Sequence, residues 1–181
     1  MSQALAPALI ERLTNRLAPQ SWTTDPDRIA SHLTEWRGRF SGATPLLARP
    51  SSTEEVSALV GACAEAGIAI TPQGGNTGLV GAQIPNGEIL ISLKRMNKIR
   101  EVSPEDDALI AEAGVVLTDV HKAAEQAGRF FPPSLTSQGS ATIGGLNSTN
   151  AGGVHVVRFG MMREQVLGLE VVLPDGRVLP A

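Results

Sequence analysis

Cysteine is nearly absent from this chain. Cys63 is the only one in 181 residues, so no internal disulfide can form, and a reducing compartment, the cytoplasm by default, is expected. Tyrosine is missing altogether, and two Trp and four Phe are the whole aromatic content; the core must come from Val, Leu, Ile and Ala. Positive charge is not in excess: 15 Lys and Arg stand against 18 Asp and Glu, a net charge of −3. Without a basic cluster there is no surface for sequence-independent phosphate contacts, and nucleic acid is not an expected partner. Long apolar runs are lacking too. Ile89 to Leu93 and Val166 to Leu173 fall far short of the roughly 20 residues that cross a bilayer, so no membrane span is expected. The N-terminus interleaves Glu11 and Arg12 with Leu5, Leu9, Ile10 and Leu13, which reads as an amphipathic helix and not as a signal peptide. His32, His121 and His155 fall in no metal-ligand spacing with one another, with Cys63 or with a carboxylate, so no metal site is expected.

What is present is an ordinary globular composition, 42% hydrophobic and 18% charged, enough for one domain with a small appendage. Residues 1–45 read as a helical extension: one helix over Leu5 to Leu17, then a second opened by Asp25-Pro26 and carrying Ile29, Leu33 and Trp36. From residue 46 the pattern changes. Leu46 to Ala48 is a strand candidate; Ser52 and Glu55 then fit a capping box, and Val56, Leu59, Val60 and Cys63 follow at helical spacing until Gly67 stops them. Ile68 to Thr71 resumes as a strand, so residues 46 to 71 are expected to form a compact, right-handed βαβ unit. Further strands are expected at Ile89–Leu93, Ile99–Val102 and Leu109–Ala113, and a helix from an N-cap at Thr118 to Ala127, stopped by Gly128. Pro132 to Gly153 shows no usable period. Val166 to Leu173 reads as a strand leading through Pro174-Asp175-Gly176 into a hairpin partner at Arg177 to Leu179.

The chain has 19 glycines, and their placement is the informative feature. Pro72-Gln73-Gly74-Gly75-Asn76-Thr77-Gly78-Leu79-Val80-Gly81 leaves a strand with four glycines in eight positions. Glycines that reach positive φ can aim successive backbone N–H groups at one anion, a nest suited to phosphate or pyrophosphate, with Asn76 and Thr77 adding side-chain donors. The loop is not a P-loop, because Leu79 and Val80 stand where Lys and Ser/Thr are needed; nor is it a Rossmann turn, because a strand and not a helix follows. A second segment, Gly139 to Gly153, holds five glycines and no charge. Ser140, Thr142, Asn147, Thr149 and Asn150 there can satisfy ring nitrogens, carbonyls or phosphate oxygens. Such long irregular loops in a compact domain are usually functional, and one large, partly polar cofactor would fit both.

Six motifs in order, RPSSTEEV at 49 to 56, PQGGNTGLVG at 72 to 81, SATIGG at 140 to 145, TNAGG at 149 to 153, RFG at 158 to 160 and VLGLEVVLPDG at 166 to 176, resemble the FAD-linked oxidase family with its PCMH-type FAD-binding domain, and within it the D-2-hydroxyacid dehydrogenases. The resemblance implies an α+β fold in which a small βαβ-containing sheet packs on a second, mostly antiparallel one, over residues 46–181. It implies FAD as cofactor, with the first loop on the pyrophosphate: Pro72, Gln73, Gly74, Gly75, Asn76, Thr77, Gly78 and Leu79. It assigns Pro133, Ser140, Thr142, Ile143, Gly144, Gly145, Asn150, Ala151 and Gly152 to the ribityl chain and ring. Leu146 stands where relatives often carry Asn, which leaves Asn147 in doubt as a contact. The first loop has no His or Cys to attach a flavin, so FAD is expected to be non-covalent.

The family's activity is hydride transfer from the α-carbon of a D-2-hydroxy acid to the flavin, so the implied small-molecule partner is a 2-hydroxy acid of the lactate, glycolate or 2-hydroxyglutarate class. Neither the electron acceptor nor a catalytic residue is readable here. Relatives continue into a substrate-covering cap that this sequence does not include, so an incomplete site is expected, with weak FAD retention and no turnover by the chain alone. A non-catalytic flavin-binding module or subunit, completed by a second copy or a partner chain, is the alternative. Cys63 reads as an inert core thiol, His121 as a surface residue, and Asp106-Asp107 as a turn; His155 could face the flavin edge, and Arg158 could meet either phosphate or a surface partner.

Overall fold

The computed structural model describes residues 7–179. The first helix, α1, runs over Pro7–Thr14; the expected start at Leu5 lies outside the described residues. Leu13 and Leu17 bury beside the third helix. A short strand, β1 (Trp22–Thr23), precedes α2 (Pro26–Ala30), whose cap is Asp25 accepting from the Asp27 N–H at 3.0 Å. The expected continuation through Leu33 and Trp36 does not form, and Trp36 is 73% exposed. The reason is Glu35. It is 1% exposed, and its carboxylate captures the N–H groups of Arg37 at 2.7 Å and Arg39 at 2.8 Å, winding the chain into a tight loop instead of a helix.

The strand β2 (Leu47–Ala48) leads to α3 (Thr53–Glu65), which forms where its signals stand. Ser52 Oγ accepts from the Glu55 N–H at 3.3 Å, and the Glu55 carboxylate reaches back to the Ser51 N–H at 2.7 Å. Gly67 closes the turn at φ 65°. Leu59, Val60, Ala62 and Cys63 bury against the sheet. The strands β3 (Ile70–Gln73) and β4 (Ile89–Ser92) complete a four-stranded sheet in the order β1-β2-β4-β3, with β2, β4 and β3 parallel and β1 antiparallel at the edge. The expected βαβ unit is therefore split: β4 inserts between β2 and β3. All four β4 residues are buried, and a strand covered on both faces belongs at the sheet centre. Burying Ile89, Leu90 and Ile91 contributes on the order of 2 kcal/mol each.

Beyond this sheet the chain forms two separate two-stranded sheets. The strands β5 (Ile99–Ser103) and β6 (Ala108–Ala111) form one antiparallel hairpin; β7 (Val171–Val172) and β8 (Val178–Leu179) form another. Val166 to Glu170 stays outside the expected strand, with Met162–Gln165 before it in a 3-10 turn. Gly176, at φ 88°, sits against Ser57 and Gly61 of α3, and Ser57 Oγ donates to the Gly176 carbonyl at 2.5 Å. The helix α4 (Leu117–Gln126) starts one residue before Thr118, without a side-chain cap. Its first donors go elsewhere: Leu117 N–H to Ala141 O at 2.9 Å and Thr118 N–H to Gln138 O at 3.2 Å. One short helix, α5 (Ile143–Ser148), occupies part of the stretch that showed no period, and a second, α6 (Val156–Phe159), follows it.

Candidate functional site

The parallel strand β3 delivers Gln73 to the base of the first glycine loop. Gln73 is 1% exposed, and its amide is spent internally: Nε2 donates to His32 O and Gln83 O, each at 3.0 Å, while Oε1 meets His32 Nδ1 at 2.6 Å. With both Nε2 protons committed, the bond to His32 makes Nδ1 the donor and fixes the imidazole tautomer. Burial, reinforced by Lys94 and Arg49, outweighs that bond and holds the His32 pKa below 6.5. Asn76 is likewise occupied, its Nδ2 donating to Thr34 O at 3.0 Å and its Oδ1 accepting from Gln83 Nε2 at 3.1 Å. Gln73 and Asn76 thus organise the loop through their side-chain amides, of which the sequence reading offered that of Asn76 to a ligand.

The glycines work differently from the expected way. Positive φ falls on Asn76 (58°) and Gly81 (78°), not on Gly74, Gly75 or Gly78. Those three are needed for closeness. A Cβ on Gly75 would lie 2.8 Å from the Ser140 carbonyl carbon and 3.3 Å from Ala141 Cα, with Ser140 O nearer still; one on Gly74 would overlap Thr142 Oγ1, with Gly145 N 3.8 Å away. The two glycine segments are therefore in contact, Gly74–Gly75 against Ser140–Thr142. Among the described residues none accepts a hydrogen bond from the backbone N–H of Gly74, Gly75, Asn76, Thr77 or Gly78. Against Gly74, Thr142 Oγ1 is buried without a partner. A row of free amides with an orphaned hydroxyl beside it, on loops bearing no charged side chain, is a donor set for an anion and fits a phosphate-bearing cofactor.

The remaining expected residues divide. Gly144 lets α5 close on the chain just past β6, its N–H donating to Ala113 O at 2.8 Å, and Ile143 packs in the apolar cluster around Leu117, Ala141 and Met162. Asn150, at φ 46°, accepts from the Arg163 N–H at 2.9 Å. Pro133, Ala151 and Gly152 line a separate crevice together with His155 and Gly160. His121 is not a free surface residue: its Nε2 lies 2.7 Å from Pro133 O and holds that wall. His155 is exposed and stacks edge-on against Phe130 and Phe159, while Arg158, also exposed, lies 5.0 Å from the Phe159 ring. Leu79 is exposed and joins the site only through its carbonyl, which accepts from Arg37 at 2.6 Å. Asn147 Oδ1 is buried without a partner. Asp107 pairs with Arg129, and Asp106 accepts from Ser103 Oγ, as turn residues. Cys63 is buried in α3, its pKa pushed up to about 11 by desolvation. Among the described residues no three His, Cys, Asp or Glu side chains cluster as a metal site, and no helix is long and apolar enough to cross a membrane. Sequence reading missed Gln83 and the segment His32–Phe40; nothing in their spacing marks them.

Comparison with known proteins identifies the family and the fold. A family model described as an FAD binding domain matches residues 44–181. The D-2-hydroxyglutarate–pyruvate transhydrogenase of Saccharomyces cerevisiae is 41% identical over 155 residues, 85% of this chain and 31% of that protein. A mitochondrial D-2-hydroxyglutarate dehydrogenase of Danio rerio is 42% identical over 90% of this chain and 31% of its own length. A D-2-hydroxyglutarate dehydrogenase of Stutzerimonas stutzeri is 37% identical over 96% and 38%. Among solved structures, an alkyldihydroxyacetonephosphate synthase superposes with a TM-score of 0.86 at 23% identity, over 98% of this chain and 34% of that one. The 6-hydroxy-D-nicotine oxidase of Arthrobacter nicotinovorans does so at 0.78 and 22%, over 88% and 35%. These two share the fold, the α+β PCMH type expected from the motifs. The chain spans about a third of the length of the curated relatives it matches.

Proposed function

Because the chain belongs to the family of FAD binding domains, we propose that its two touching glycine segments hold FAD non-covalently, as part of a flavoenzyme that oxidises a D-2-hydroxy acid. One observation carries the reading: five consecutive unpartnered amides, Gly74 to Gly78, beside the buried and unpartnered Thr142 hydroxyl. In this reading the amides neutralise the pyrophosphate through dipoles, since the loops supply no Lys or Arg, and Thr142 and Gly145 N orient the neighbouring ribityl chain. Ser140, Ile143 and Gly144 shape the wall between the segments. Pro133, Ala151 and Gly152 line the crevice beyond, with Asn150 directly before Ala151 in the chain, and this is where the ribityl chain and ring are assigned. Pro72 and Leu79 bound the first loop. Bound there, the flavin supplies the hydride acceptor for oxidation at the substrate α-carbon. The first loop offers no His or Cys, and Cys63 is sealed in the core, so no covalent tether forms in either place. The substrate class follows the names of the relatives, D-2-hydroxyglutarate dehydrogenases. The single buried thiol supports a cytoplasmic setting, which cell fractionation tests against the mitochondrial placing in the Danio rerio relative's name.

The test is a titration followed by flavin fluorescence. FAD binds at least tenfold more tightly than riboflavin, which lacks the pyrophosphate, and acid denaturation releases all of the bound flavin. Equal affinity for the two would remove the first loop from the cofactor site; flavin retained after denaturation would overturn the non-covalent assignment.

A further inference from the structure

The N–H groups of the first glycine loop have no partner among the described residues, so the loop's shape must be held by other contacts. We infer that the segment His32–Phe40, together with Gln83, is a clasp that fixes the loop before any ligand arrives. The importance of that shape rests on the reading of the loop as a phosphate cradle. Gln83 Nε2 donates to Asn76 Oδ1 at 3.1 Å and to Gly78 O at 2.9 Å. Asn76 Nδ2 passes the chain on to Thr34 O at 3.0 Å, and Arg37 donates to Leu79 O at 2.6 Å. At the far end Gly81 lies so close under the Phe40 ring that a Cβ there would come within 2.7 Å of it.

The clasp is itself stiff. The buried Glu35 carboxylate gathers the Arg37 and Arg39 N–H groups, the Glu35 N–H donates to Phe40 O at 3.1 Å, and Gly42 N–H closes the loop on Leu33 O at 2.9 Å. Every one of these contacts to residues 76–79 is made to a carbonyl or a side-chain amide. None takes a backbone N–H of residues 74–78. A support that used the amides would compete with an anion; this one leaves them free while removing the ordering cost that a loose loop would add to binding.

The positioning residues Gln83 and Arg37 are tested in the ligand-free chain by ¹⁵N relaxation, with FAD affinity measured in parallel. In Gln83→Leu, and separately in Arg37→Ala, the order parameters of Gly74 to Leu79 fall from about 0.85 to below about 0.6, while those of α3 stay as they were. The FAD dissociation constant of Gln83→Leu rises about tenfold, equivalent to about 1.4 kcal/mol. Unchanged order in both variants overturns the clasp, whether or not FAD binds. A wild-type chain that fails to bind FAD, yet loses loop order in the variants, keeps the clasp and sinks the phosphate reading.

Discussion

Substituting Gly75 by alanine tests the contact on which the site depends. The new methyl would meet backbone, not a side chain that can rotate away: the Ser140 carbonyl carbon at 2.8 Å and Ala141 Cα at 3.3 Å, with Ser140 O closer, where ordinary contact begins at 3.4 Å. The two segments must part. Forced overpacking of this kind costs about 1–3 kcal/mol, and at this chain length each kcal/mol lowers Tm by about 2–4 °C. Parting also moves the free amides of residues 74–78 away from Thr142, so a ligand spanning both loses at least one charge-assisted bond, about 1.5–3 kcal/mol or tenfold and more in affinity. The control is Gly139→Ala in the same glycine-rich stretch. Gly139 has ordinary φ and no atom within 4 Å of a Cβ, so it should stay within about 0.5 kcal/mol of wild type. Urea unfolding and flavin fluorescence titration of both variants decide the matter. A Gly75→Ala chain that unfolds and binds FAD like Gly139→Ala would refute the idea that these glycines exist for close approach.

Three other outcomes follow from named groups. Thr142→Val keeps the shape and removes a buried hydroxyl that has no partner; the ligand-free chain should gain stability, by about 1 kcal/mol, while FAD affinity drops, and a loss of stability would show that the hydroxyl is satisfied. Cys63, with its pKa raised to about 11 by burial, should resist Ellman's reagent at pH 8 in the folded chain and react fully in urea; prompt labelling without denaturant would contradict its place in the core. His32 titrates below 6.5 when folded, so as pH falls past 6.5 the unfolded chain takes up the proton first and stability declines, levelling off below the lowered folded value. The urea midpoint should therefore fall between pH 7.5 and pH 5.5 in wild type and much less in His32→Gln, and equal slopes for the two chains would discount His32 as the source.

What the sequence made legible was whatever local signals decide. The α3 helix follows from Ser52, Glu55 and the apolar stripe ending at Gly67, and β4 from its unbroken apolar run; both stand where the pattern puts them. What it concealed was decided by contacts between distant segments. The stripe of Ile29, Leu33 and Trp36 is helical in spacing, but the buried Glu35 carboxylate claims the backbone that would have continued the helix. The α5 helix carries Gly144 and Gly145, each worth about 1 kcal/mol against helix formation, and exists because Gly144 closes on Ala113 and Leu146 packs beside Leu117 and Met162. A period search has no access to either fact.

The same distinction governs the site. Composition located both glycine segments, yet it assigned Gly74, Gly75 and Gly78 a conformational role that Asn76 and Gly81 hold instead, and it offered to a ligand the side-chain amide of Asn76, which the protein spends on itself. A side-chain amide looks alike in sequence whether it faces a phosphate or a neighbouring carbonyl, and only the count of satisfied partners separates the two cases. By that count the donors left without a partner among the described residues are backbone N–H groups, which every residue but proline has and no alphabet of side chains can mark. A loop built this way tolerates exchange at Thr77, whose side chain makes no hydrogen bond among the described residues, far better than at Gly74 or Gly75, where any side chain would strike Thr142 or Ser140.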